Sequence, residues 1–274
     1  MSQTPQSSAS KPLKSPTDLP SAFDHFDELL DWVKQEAVLC LDYDGTLTPI
    51  VENPEEAGIS GEMRAQVKAV AQRMPVAIVS GRGLPFIQAQ MQLKEVYYAG
   101  SHGFEIRGPG GFQHEQEEAQ RLMPLLDEVE ATLKRELQSI QGAEVERKKY
   151  GMAVHYRKVA PDQVPDVKQL VEKQLSQYPS LKGGKGKMVL ELKPNIDWHK
   201  GRAVHFIADR IAQSDTPLAI LYIGDDITDE DAFQVIDRGA GLLVGAHDED
   251  SAADYRLENV EAVQRFLQQL TEKL

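Results

Sequence analysis

Two short apolar runs, each leading directly into a cluster of carboxylates, constrain this chain more than any other feature. Ala37 to Leu41 (AVLCL) ends at Asp42-Tyr43-Asp44-Gly45-Thr46, and Ala219 to Ile223 (AILYI) ends at Gly224-Asp225-Asp226-Ile227-Thr228-Asp229. Neither run alternates with polar residues, so neither suits a strand with one face in water. Both read as central strands of a parallel sheet covered on both faces. Pro75 to Val79 (PVAIV), breaking at Ser80-Gly81, and Val96 to Ala99, ending at Gly100, extend the pattern. Apolar residues at helical spacing lie between these runs: Met63, Val67, Val70 and Ala71, then Ala203, Val204, Ile207 and Ile211. A first helix carries Phe23, Phe26, Leu30 and Val33, a further helix starts near Thr228, and a last one carries Val260, Val263, Leu267 and Leu270 around a short strand at Leu242 to Val244. The rhythm predicts a layered α/β domain.

The rhythm breaks in the middle. A long helix through Leu122, Leu126, Val129, Leu133 and Leu137, with Pro124 in or near its first turn, precedes two strands, Ala143 to Lys148 and Met152 to Arg157. A helix through Val167, Leu170, Val171 and Leu175 and a strand Met188 to Leu192 follow, with Gly183-Gly184-Lys185-Gly186 expected as a hairpin turn. We therefore expect a tail at 1–20, disordered because it is rich in Ser, Pro, Gln and Thr, a core at 21–113, an inserted α/β module at 114–193, and a second part of the core at 194–274.

Composition narrows the function classes. In 274 residues, 43 Asp and Glu outnumber 30 Lys and Arg, a formal charge of −13. That disfavours nucleic acid or an anionic membrane as partner, while leaving room for a local basic pocket. One cysteine, Cys40, excludes an internal disulfide and a multi-cysteine metal site and reads as a small buried hydrophobe. With no apolar run of membrane length and no signal-peptide pattern, the expected setting is cytoplasmic.

Ligands of open α/β sheets bind beyond the carboxyl ends of the strands, so two neighbouring strands would bring the acidic clusters together. Facing carboxylates repel unless a cation neutralises them, and an all-oxygen set points to Mg²⁺ rather than zinc. Asp42, fixed at a strand end, suits a nucleophile. Asp44, two residues on, suits an acid on the leaving-group side. Ser80 and Lys200 supply a hydroxyl and a positive charge for phosphoryl oxygens.

These residues carry a resemblance. DYDGTLT at Asp42, Ser80, Lys200 and GDD at Gly224 are similar to the four ordered motifs of the haloacid-dehalogenase-like (HAD) phosphatases. LDYDGTLTPI, SGR at Ser80, GSHG at Gly100, HYR at His155, ELKP at Glu191, HKG at His199 and GDDITDEDAF at Gly224 resemble the trehalose-6-phosphate phosphatase family over residues 37–245. The resemblance implies a Rossmann-like core with a small α/β cap between the second and third motifs. It implies an aspartyl-phosphate on Asp42, with Asp44 as general acid and then base. Mg²⁺ would be held by the Asp42 carboxylate, the Asp44 carbonyl and Asp225, with Asp226 and Asp229 just behind. Arg82, Ser101 and His102 are expected on the substrate side. In the module, Glu146, Lys148, Arg157 and Glu191 are expected to grip sugar hydroxyls, with His155 and Arg157 sharing one side of one strand. The implied partner is a sugar phosphate, with a trehalose-6-phosphate synthase in the same pathway. A phosphatase for another sugar phosphate, such as a mannosyl- or glucosyl-3-phosphoglycerate, would keep the same four motifs and differ in the cap. A phosphoaspartate receiver would have no use for Asp44, and a non-catalytic sugar-phosphate-binding protein would be expected to lose Asp42 or Asp44.

Overall fold

A computed structural model describes residues 11–51, 58–186, 188–212 and 216–274. The chain divides into two units, residues 1–114 with 198–274, and residues 115–197. Among the described residues, eight strands form the sheet of the first unit, in the order β12-β11-β10-β1-β2-β3-β4-β5. They are β1 (Ala37–Leu41), β2 (Val76–Val79), β3 (Tyr97–Gly100), β4 (Glu105–Gly108), β5 (Phe112–Glu115), β10 (Ala219–Gly224), β11 (Gly239–Val244) and β12 (Tyr255–Leu257). The β12-β11-β10-β1-β2-β3 stretch is parallel, and β4 joins β3 antiparallel.

Every residue of β1 and of β10 is buried. Side chains alternate between the two faces of a strand, and both faces are covered. Leu39, Leu41 and Ile223 pack with α1 (Phe26–Lys34), α2 (Gly61–Ala71), α3 (Leu84–Met91) and α9 (Val260–Lys273). Val38, Cys40 and Tyr222 pack with α7 (Lys200–Ile211) and α8 (Ile227–Phe233) on the other side. Helix starts are set locally: the Ser60 hydroxyl accepts from the Met63 N–H at 3.0 Å, and Asn259 Oδ1 from the Ala262 N–H at 2.9 Å. This is the α/β core with a parallel sheet that the sequence predicts. Among the described residues, no helix is long and apolar enough to cross a membrane.

The second unit holds α4 (Glu117–Arg121), α5 (Met123–Leu137), β6 (Glu144–Lys148), β7 (Gly151–His155), α6 (Val164–Gln177), β8 (Leu181–Gly186) and β9 (Val189–Pro194). Its sheet runs β6-β7-β9-β8, all antiparallel. Leu126, Val129 and Leu133 of α5 and Val167 and Val171 of α6 cover one face, against Met152, Val154, Leu190 and Leu192. Pro124 sits in the first turn of α5, where its missing N–H costs nothing.

Four expectations need correction. Residues 11–20 are not a disordered lead-in: Lys14 pairs with Ser251, Lys11 Nζ reaches Asp254 at 2.8 Å, and Pro16 and Leu19 are buried. Residues 1–10 lie outside the described residues. Gly183 to Gly186 are strand, not turn, and pair with Leu192 to Val189. β7 ends at His155, so Arg157 is two residues past the strand and does not share a strand side with His155. The expected boundaries at 113/114 and 193/194 lie one and four residues before the divisions between the two units, at 114/115 and 197/198.

Candidate active site

β1 and β10 are direct neighbours, pairing Leu41 with Ile223, and the Asp42 N–H continues the ladder to the Ile223 carbonyl at 2.9 Å. Their carboxyl ends therefore deliver Asp42 and Asp225 to one place. Asp42 is buried and accepts from Lys200 Nζ at 2.8 Å. The same ammonium reaches Asp229 Oδ1 at 2.6 Å. Lys200 opens α7, whose start approaches α8 closely: a Cβ on Gly201 would lie 2.2 Å from the Asp231 carbonyl. Gly45 has φ +79, and a Cβ there would lie 2.0 Å from Asp225 Oδ2. Only glycine lets the first acidic loop turn against the second.

Carboxylates outnumber the cation. Oxygens of Asp42, Asp225 and Asp229 lie within 4.8 Å of one another, with Lys200 the ammonium bonded among them. Burial, then the charges of Asp229 and Asp225, push the Asp42 carboxyl well above the usual range despite the pull of Lys200. Burial and Asp229 push Asp225 up to about 7. Burial works against the charge on Lys200, but Asp229 and Asp42 outweigh it and hold its pKa above the ordinary lysine value. Surplus negative charge on an all-oxygen set fits a divalent cation. Asp229 is the least free of the three. Its Oδ1 accepts from Lys200 and from the Tyr222 hydroxyl, and its Oδ2 accepts from the N–H groups of Asp225 and Asp226. None of these bonds falls on Oδ2 of Asp42 or of Asp225, which leaves those two as the better donors.

The other expected residues of the first unit make the following contacts. Asp226 is exposed and caps α8, Oδ1 accepting from the Ile227 N–H at 2.8 Å. Arg82, expected on the substrate, donates from Nε and Nη2 to both oxygens of Asp44 at 2.7 Å, its guanidinium 4.9 Å from the centre of the Phe86 ring. Ser80 is buried, its hydroxyl accepting from the Arg82 N–H at 3.1 Å. Ser101 and His102 fold back under this loop, donating N–H to the carbonyls of Arg82 and Ser80. They do so with φ of +53 and +58, followed by Gly103 at +92. Consecutive left-handed residues that are not glycine carry strain, which is held where backbone placement matters. A Cβ on Gly81 would lie 2.8 Å from the His102 ring.

In the second unit, the strand register sets Glu146 opposite Ala153 and Ala153 opposite Glu191, on the sheet face away from its helices. Lys148 Nζ lies 3.3 Å from Glu191 Oε1, and His155 Nε2 lies 2.8 Å from Glu146 Oε2. Ala153 and Gly184 are the small neighbours of Glu191 in that row. Three of the four expected recognition residues thus share one polar face. Arg157 instead borders a groove with Gln141, Lys158 and Gln163.

Among the partners of Asp229, Tyr222 belongs to none of the motifs read in the sequence. A tyrosine in the otherwise aliphatic β10 was the available signal, because a buried hydroxyl needs a partner.

Acidic side chains gathered around a buried lysine at the carboxyl ends of parallel strands are arranged for phosphoryl chemistry. With a smaller α/β unit inserted in the chain, they define a phosphatase of the HAD type. Comparison with known proteins narrows this class. Residues 40–261 match the family model described as trehalose-phosphatase, and the chain belongs to that family. It is 40% identical over 266 residues to trehalose-phosphate phosphatase B of Arabidopsis thaliana, covering 92% of this chain and 71% of that one. It is 41% identical over 271 residues to trehalose 6-phosphate phosphatase RA3 of Zea mays, covering 93% and 75%. Among solved structures it resembles the Aspergillus fumigatus trehalose-6-phosphate phosphatase, with TM-score 0.67, 26% identity and coverage of 93% and 100%. The C-terminal domain of the Candida albicans trehalose-6-phosphate phosphatase shares the fold at TM-score 0.74 and 24% identity, with coverage of 93% and 99%.

Proposed function

We propose that the chain hydrolyses trehalose 6-phosphate to trehalose and phosphate with Mg²⁺ as cofactor. The carrying observation is Lys200 bonded to Asp42 and Asp229 at the junction of β1 and β10, with Asp44 two residues beyond the nucleophile. A carboxylate oxygen of Asp42 attacks phosphorus as the bond to the sugar oxygen breaks, and Asp44 gives that oxygen its proton. Water then attacks the aspartyl-phosphate, Asp44 takes the proton, and the bond to Asp42 breaks to free phosphate. The ammonium of Lys200 has three N–H groups; two are taken by Asp42 and Asp229, and the third is available to a phosphoryl oxygen. Ser80 supplies a hydroxyl to another. Mg²⁺, held by Asp42, Asp225 and the Asp44 carbonyl, would offset the charge of the phosphate and of the crowded carboxylates.

Stripping divalent ions should reduce turnover to background, and adding Mg²⁺ should restore it. Full activity in chelator would remove the metal from this reading.

The named sugar rests on the polar face of the second unit together with the names of the relatives. A disaccharide presents many hydroxyls, and a surface built to pair them rejects analogues that leave its polar groups unmatched. Glu146→Ala or Glu191→Ala should lower kcat/KM for trehalose 6-phosphate at least about tenfold, roughly 1.4 kcal/mol. Turnover of a small activated ester should change far less. A sugar-phosphate panel run on wild type and both variants decides the substrate. Preference for glucose 6-phosphate or a glycosyl-phosphoglycerate would replace the sugar and keep the phosphatase. Equal damage on the small ester would assign both glutamates to folding of the unit.

A further inference from the structure

We propose that Tyr222 is a positioning residue whose hydroxyl, acting through Asp229, fixes the place of the Lys200 ammonium against Asp42. The inference rests on the reading of this site as a phosphohydrolase. Tyr222 stands opposite Cys40 in the β1–β10 pairing, two residues back from Asp42 on the same sheet face. Its ring is fully buried and meets Phe233 of α8 edge-on, with centroids 5.6 Å apart. The hydroxyl donates to Asp229 Oδ1 at 2.6 Å, onto the same oxygen that holds Lys200 at 2.6 Å.

Two donors on one oxygen, with two backbone N–H groups on the other, leave the Asp229 carboxylate no freedom to rotate. A Cβ on Gly224 would lie 2.4 Å from Asp229 Cγ, so the backbone closes the remaining side. The stem of Lys200 is buried, and within that packing the last placement of its ammonium is set by the carboxylates it touches. Without the tyrosine hydroxyl, Asp229 Oδ1 serves Lys200 alone, and the carboxylate can turn to draw the ammonium away from Asp42. The third N–H of Lys200 stays available to a phosphoryl oxygen, so substrate binding should survive, while the chemical step, which needs the ammonium against Asp42, slows. A hydroxyl that merely satisfied a buried acceptor would matter to stability and not to this division.

The test is Tyr222→Phe in the full-length protein with Mg²⁺, assayed on trehalose 6-phosphate and on p-nitrophenyl phosphate, with rates normalised to folded protein. Wild-type turnover is measured first. Its absence on both esters and on the sugar-phosphate panel overturns the phosphatase reading and this inference with it. With an active wild type, the variant should lose about tenfold in kcat on either ester, with KM within about twofold. In an Asp229→Ala background the same change should cost less than about twofold, because the hydroxyl then has nothing to position. The inference alone is overturned by a variant kcat within twofold of wild type, by a loss that appears in KM instead, or by a tenfold effect persisting without Asp229.

Discussion

Asp42→Asn should lose turnover by about 10⁴-fold or more on every phosphate ester, activated or not, because an amide oxygen cannot stand in for the nucleophile. The fold should not suffer. Burial and the neighbouring Asp229 and Asp225 raise the Asp42 pKa above its unfolded value. The contribution of such a carboxyl to folding is fully present below the unfolded pKa and lost as pH rises through the folded one. Near neutral pH, without metal, its charge therefore weighs against folding, and a neutral amide of the same size removes that cost. The metal-free variant should melt at or above the temperature of the metal-free wild type, and the gap should widen between acidic and neutral pH. Residual turnover within tenfold of wild type would take the nucleophile's role from Asp42. A large drop in melting temperature would mean that the side chain also holds the fold.

That trade of stability for chemistry explains why the centre of the site was legible in the sequence. Aliphatic residues on both faces of β1 and β10 require a covered parallel sheet, and no turn needs carboxylates in such number after two of its strands. The core and the positions of Asp42 and Asp225 follow from local pattern and a general rule about strand ends. What was missed depends on partners distant in sequence. Arg82 follows a serine and a glycine, the setting of a phosphate-binding arginine; that it meets Asp44, 38 residues back in the chain, is fixed only by the assembled fold, with the Phe86 ring 4.9 Å from its guanidinium. Asp226 differs from Asp225 only in where the chain turns into α8, which a sequence of adjacent aspartates does not reveal. Residues 11–20 are polar enough to read as solvated, yet Pro16 is buried and Leu19 joins a core cluster with Val38, Ile220 and Leu243 that only the assembled sheet creates. Gly183 to Gly186 have turn composition but lie in β8, held by six successive pairings with β9. Tertiary pairing overrides local propensity there.

Asp44→Asn should separate the two halves of the reaction. A sugar alkoxide is a poor leaving group and needs a proton as its bond to phosphorus breaks, whereas nitrophenolate leaves with little help. Loss of the acid should slow the first step on trehalose 6-phosphate by about 10²- to 10⁴-fold, the range general acid catalysis ordinarily supplies. On p-nitrophenyl phosphate that step should fall far less. Asp44 also serves the second step, taking a proton from the attacking water, so the variant should release nitrophenolate in a rapid burst bounded by one equivalent of enzyme and then turn over slowly. The Arg82 pair makes the isosteric variant the right one. Asn can accept one of the two 2.7 Å bonds through its carbonyl but presents N–H groups to the other nitrogen, so the guanidinium loses half its clamp without a cavity opening. A burst with p-nitrophenyl phosphate and none with the sugar ester assigns proton transfer to Asp44. Equal losses in the first step for both leaving groups would instead make Asp44 an anchor for Arg82, and the acid would have to be sought elsewhere.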